Sequence, residues 1–240
     1  MTGVPEVVWR FVWLFSEPAL TSFEVQIARS LERRLERLLE GTAGRVFSGR
    51  IHPAEIAGRI AREADLGVYQ HAAGPATANR YILSVNERDM ELDPSQLERS
   101  LEKVLSEHAA ESGLRLEGPP SVEIVTSNGV PPGQFNCDLE VSPSPLPPWS
   151  RLVSSAESFG VGHNRAFLGR SEHSDVIIPI PEISRRHALL WREHGDVWIR
   201  DLKSANGTHV DGAQVGTDPV SVTTGAVINM AGHRFRFEGS

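Results

Sequence analysis

A single cysteine, Cys137, stands in a chain of 240 residues. One thiol excludes an internal disulfide framework and suits a reducing cytosol. Long apolar runs are also missing. The longest, residues 7–15, is broken by Arg10 and falls short of the roughly 18 residues of a membrane-spanning helix. It has neither the basic leader nor the small-residue cleavage site of an export signal. Positive charge is not in excess: residues 1–150 carry 14 Lys+Arg against 21 Asp+Glu, and residues 151–240 carry 10 of each. That balance disfavours nucleic acid as a partner, since phosphate-backbone binding needs a basic surplus.

Several catalytic signatures are absent. There is no GxxxxGK[ST] loop, no kinase signature and no G-x-S-x-G nucleophile elbow. The nine histidines show no metal-ligand spacing; His187, His194 and His209 fall on separate predicted strands. No cofactor and no metal are expected.

What is present divides the chain in two. Residues 142–149 (SPSPLPPW) hold four prolines in eight positions, which no central strand or helix tolerates. They predict a semi-rigid extended linker, and the PxxP they contain follows from the same composition. Before the linker the pattern is mainly helical. Ser22 caps a helix to about Glu40, with Phe23, Ile27, Leu31, Leu35, Leu38 and Leu39 on one stripe. A second helix starts at Pro53, with Ile56, Ile60 and Ala64 four apart, and a third runs over 94–112 with Leu97, Leu101, Val104 and Leu105. Residues 80–86, "SVEIVTS" and "QFNCDLEV" read as strands. The order α-α-β-α-β-β predicts a small α+β domain.

After the linker, short alternating runs punctuated by glycine, Asn-Gly and Asp-Gly predict nine or more strands in residues 151–240, an all-β sandwich. Three polar clusters sit at turns between them: Gly169-Arg170-Ser171, Ser184-Arg185-Arg186-His187, and residues 204–208 around Asn206-Gly207. Loops at one end of a sandwich converge although distant in sequence. A phosphate there could take charge-assisted bonds from Arg170, a hydroxyl bond from Ser184 and contacts from Arg185, with Asn206 suited to a peptide main chain. Ser184, His187 and Asp201 also invite a hydrolase triad, but no oxyanion loop flanks Ser184, and the phosphate reading is preferred.

This constellation resembles the forkhead-associated (FHA) domain, a phosphothreonine-peptide reader, over residues 150–240. The resemblance implies that Arg170 and Ser184 grip phosphate, Arg185 assists, and Asn206 binds the ligand main chain. His187 would brace the loop, and Gly169 and Gly207 would permit the turns. One departure is Ala205, where many members carry a hydroxyl; a weaker site, not a lost one, is expected. Residues 23–141, including "NRYILSVNERDMELD", are similar to the N-terminal domain of bacterial FhaA-like proteins. The expected organisation is an N-terminal extension over 1–22, an FhaA-type α+β domain over 23–141, the linker over 142–150 and an FHA domain over 151–240.

The resemblance implies a non-enzymatic, phosphothreonine-dependent adaptor or scaffold. Its partner would be a phosphorylated Ser/Thr protein kinase or a kinase substrate, in bacterial signalling linked to cell-wall synthesis or division. A cytoplasmic protein recruited by partners to the inner face of the membrane is expected. The alternative is a nucleic-acid-associated regulator, because Gly41-Thr-Ala-Gly44 has the GxxG spacing of a KH loop. The acidic balance favours a helix cap and turn there instead.

Overall fold

A computed structural model describes residues 51–91 and 93–239. The helix expected over 22–40, the extension over 1–22 and the Gly41–Gly44 turn lie outside the described residues. Packing separates the chain into two units.

The first unit comprises residues 51–67, 78–108 and 120–142 of the described chain. Helix α1 (Pro53–Leu66) buries Ile56, Ile60 and Ala64, the four-apart stripe seen in the sequence. Of the strands paired here, β3 (Arg80–Val85) is central, parallel to β4 (Ser121–Thr126) and antiparallel to β5 (Phe135–Glu140). Parallel pairing demands a crossover, and helix α2 (Ser95–Glu111) lies between β3 and β4 in the chain. Alternation along β3 puts Tyr81, Leu83 and Val85 in one core with Leu97, Leu101 and Leu105 of α2. Glu98 and Glu102 of α2 accept the Ile124 and Val122 N–H groups at 2.8 and 3.2 Å, which satisfies donors of β4 that β3 does not meet.

The second unit comprises residues 68–77, 109–119 and 143–240. It is a sandwich of two sheets, in the orders β14-β11-β10-β8-β9 and β13-β12-β15-β16-β6-β7. The strands are β6 (Ser150–Val153), β7 (Ser158–Val161), β8 (Arg165–Gly169), β9 (Val176–Ile177), β10 (Ala188–Glu193), β11 (Asp196–Asp201), β12 (Thr208–Val210), β13 (Ala213–Val215), β14 (Val220–Ser221), β15 (Val227–Met230) and β16 (His233–Gly239). Leu152, Leu168, Ile178, Leu190, Ile199, Ile228, Phe235 and Phe237 fill the space between the sheets.

The outer face of β8 and β10 is covered as well. Phe167, Leu189 and Trp191 pack there with Ala73, from the turn of a hairpin formed by β1 (Tyr69–His71) and β2 (Gly74–Ala76). Arg165 ties both additional segments down, donating Nε to the Ala73 carbonyl at 2.8 Å and Nη1 to the Gly113 carbonyl at 3.1 Å. Burial on both faces explains why "AFL" and "HALLW" are continuous apolar runs and not alternating ones. Among the described residues, no helix is long and apolar enough to cross a membrane.

Candidate phosphate-binding site

Register brings the three polar clusters together. Leu168 of β8 lies opposite Ala188 of β10, which lies opposite Asp201 of β11. The chain therefore leaves β8, enters β10 and leaves β11 at one level. The loops 170–175, 178–187 and 202–207 emerge side by side.

Backbone bonds then lock the first two loops to each other. Arg170 N–H donates to the Ser184 carbonyl at 3.1 Å, and Ser171 N–H to the Arg185 carbonyl at 3.2 Å. The Ser174 hydroxyl donates to the same Arg185 carbonyl at 2.9 Å. The approach is so close at Gly169 that a β-carbon there would sit 2.2 Å from the Arg185 oxygen, so only glycine fits.

His187 holds the second loop to the third. It is fully buried, its Nδ1 accepts the Ser184 N–H at 3.1 Å, and its Nε2 meets the Gly207 carbonyl at 3.1 Å. A nitrogen that accepts an amide proton carries none, so the ring is neutral with its proton on Nε2. Burial drives its pKa below the usual 6.5, outweighing the Gly207 carbonyl and the Asp201 charge, which favour the cation. Gly207 itself has φ +76°, the left-handed region that glycine enters without strain.

The third loop is organised by Asp201. Its carboxylate accepts from Ser204 N–H at 2.9 Å, Ser204 Oγ at 2.7 Å and Thr208 Oγ1 at 2.6 Å. Burial pushes its pKa up, but these bonds and the neighbouring His187 hold it below the ordinary aspartate value. Both ring nitrogens of His187 are thus occupied by main-chain groups, and Asp201 serves its own loop. Ser184, His187 and Asp201 do not form a catalytic triad.

The groups left facing outward are those with phosphate chemistry. Ser184 Oγ accepts the Ala205 N–H at 3.0 Å, which leaves its own proton to donate. Arg170 and Arg185 are exposed, and neither guanidinium has a partner among the described residues. Arg186, by contrast, lies over the Phe167 ring at 4.5 Å. Asn206 donates Nδ2 to the Glu182 carbonyl at 2.9 Å, leaving its carbonyl oxygen for a ligand N–H. It also borders a groove lined by His209, Asn229 and Arg234.

The sequence places Ser204 in the third cluster without a role of its own, and Ser174 and Asp175 were missed. Ser204 supplies the loop hydroxyl one position before Ala205, donating to Asp201 and accepting the Gly207 N–H at 3.0 Å. Its place in an Asp-x-x-Ser turn was the available signal.

Comparison with known proteins agrees with this architecture. The model of the FhaA N-terminal domain matches residues 29–138, and that of the FHA domain matches residues 167–231. The FHA domain-containing protein FhaA of Mycobacterium tuberculosis is 30% identical over 123 residues, 48% of this chain and 23% of FhaA. FhaB of Mycolicibacterium smegmatis is 33% identical over 70 residues, 29% of this chain and 44% of FhaB. The chain therefore spans less than half the length of either relative. Among solved structures, the FhaA FHA domain complexed with the intracellular domain of Rv3910 aligns at 23% identity with a TM-score of 0.33, over 37% of this chain and 97% of that one. This chain joins an FhaA N-terminal domain to an FHA domain.

Proposed function

We propose that the chain is a phosphothreonine-dependent adaptor whose β-sandwich captures a phosphorylated Ser/Thr protein kinase or a kinase substrate. One observation carries the reading. Two guanidinium groups without a partner among the described residues, Arg170 and Arg185, stand on loops locked around the Ser184 hydroxyl. Phosphorylation adds about −1.5 to −2 charge and strong acceptor oxygens, which that trio matches. Asn206 then takes the peptide main chain, and the groove beside it accommodates neighbouring residues. Binding without chemistry suits a site whose histidine is held by two main-chain groups.

A place in signalling tied to cell-wall synthesis or division, on the cytoplasmic side of the membrane, is the finer part of this proposal. It rests on the likeness of residues 29–138 to the FhaA N-terminal domain.

Calorimetric titration of the full chain with a degenerate phosphothreonine-peptide pool tests the reading, against phosphoserine and unphosphorylated pools. Heat of binding with phosphothreonine alone is expected. Equal binding to the unphosphorylated pool, or none to any, overturns it.

A further inference from the structure

We propose that Arg115 is a positioning residue for the phosphate-binding loop, acting through Asp175. The inference rests on the reading of Arg170 as a phosphate anchor. Loop 170–175 starts at Arg170 and ends at Asp175, where the chain enters β9. Asp175 Oδ2 accepts the Phe167 N–H at 2.8 Å, which ties the end of the loop back to β8. Arg115 completes that tie with a two-pronged bond, Nη2 to Oδ1 at 2.8 Å and Nη1 to Oδ2 at 3.0 Å.

The guanidinium is saturated. Its Nε and Nη2 donate to the two carboxylate oxygens of Glu117 at 2.6 and 3.2 Å, and Nη1 also donates to the Arg165 carbonyl. All five N–H groups are therefore used, in the planar fork that only arginine offers. The side chains of Arg115 and Asp175 are 5% and 12% exposed, so water replaces little of what Arg115 supplies. Burial disfavours the Arg115 cation, yet the bonds from Asp175 and Glu117 prevail and its pKa stands above the ordinary arginine value.

Arg115 belongs to the segment 109–119, which packs in the second unit but precedes both the proline-rich stretch and the residues of the FHA match. The loop that carries Arg170 is thus pinned by a cation from outside the FHA match, on residues that match the FhaA N-terminal domain. Without Arg115, the largely buried Asp175 charge costs stability, and the end of the loop loses both prongs of the fork that fix it, so it loosens whether or not residue 175 is charged. Arg170 would then have to be ordered when ligand binds, which lowers affinity.

The test uses the full chain with Arg115→Gln, and with Arg115→Gln combined with Asp175→Asn, which removes the unpaired charge. Affinity for the phosphothreonine-peptide pool is measured below each protein's melting temperature, alongside amide hydrogen exchange over 171–175. Arg115→Gln is expected to bind roughly three- to thirty-fold more weakly and to exchange faster in that segment. The double variant should regain melting temperature but not affinity, because the fork is still missing. Unchanged affinity in folded Arg115→Gln, or affinity that recovers with melting temperature, overturns the inference. A wild-type chain that binds no pool overturns the proposed function, and exchange over 171–175 then decides on Arg115 separately: unchanged exchange sinks it.

Discussion

The carbonyl oxygen of Arg185 occupies the space where residue 169 would carry a β-carbon, 2.2 Å from it. The same carbonyl accepts from Ser171 N–H and from Ser174 Oγ, so it cannot swing aside without breaking both bonds. Gly169→Ala is therefore expected to separate loops 170–175 and 178–187. Phosphopeptide binding should be lost and the thermal midpoint lowered. Calorimetry and a melting curve check this, and an Ala variant with wild-type values would mean the two loops are not locked as described.

The two arginines that follow Ser184 are predicted to behave differently. Arg170→Ala removes the proposed charge-assisted anchor and should weaken phosphothreonine-peptide binding roughly ten- to a hundred-fold. Arg185→Ala should weaken it less, as an assisting cation. Arg186→Ala should leave affinity nearly unchanged, because that side chain is spent on the Phe167 ring. Its cost falls on stability, about 0.5–1 kcal/mol for an exposed cation–π contact. Titrations of the three variants side by side give the ranking.

Much of this was legible beforehand, for identifiable reasons. Ile56, Ile60 and Ala64, or Leu97, Leu101 and Leu105, announce helices because a period near 3.6 has few competing explanations. The three polar clusters were legible because each combines a turn former with a phosphate-suited side chain. The hairpin over 69–76 was not, since "YQHAAGPA" has too little apolar content and too short a period to register. Nor was the joining of residues 109–119 to the sandwich: "ESGLRLEGPP" reads as a helix end and turn, and Arg115 shows its role only once Asp175 is beside it. Arg185 was preferred to Arg186 by resemblance alone, and the position of Phe167 under Arg186 supplies a physical reason.

His187 makes stability dependent on pH. The unfolded imidazole takes its proton near pH 6.5, and the folded one only at lower pH because it is buried. Between those values the unfolded chain holds the extra proton, so acidification favours unfolding. Above pH 6.5 both states are neutral and this contribution is flat. His163 adds in the same direction, since burial and then the Arg115 charge depress its pKa. Denaturant midpoints should fall as pH drops through 6.5 toward 5. A midpoint that rises over that interval would contradict the neutral Nε2–H form of His187.

Replacing His187 itself should be costly at any pH. His187→Ala leaves the Ser184 N–H without its partner and opens a cavity between the loops, while the Gly207 carbonyl keeps the Ala231 N–H at 3.2 Å. A loss of about 1–3 kcal/mol is expected from the one unmet donor, read from chemical denaturation at pH 7.5.

Cys137 should be inert in the folded protein. Burial, reinforced by the nearby Glu63 charge, pushes its thiol pKa up to about 12, so almost no thiolate exists at neutral pH. Alkylation by iodoacetamide should be slow in the native chain and fast in denaturant. Rapid native labelling would show that β5 opens readily.

The most direct test of the central claim is to map a phosphothreonine peptide onto the chain by amide chemical shifts. The account predicts that resonances of Arg170, Ser171, Ser184, Arg185, Ala205 and Asn206 move on titration, while those of the first unit stay in place. Saturable binding whose shifts fall away from these three loops would contradict it.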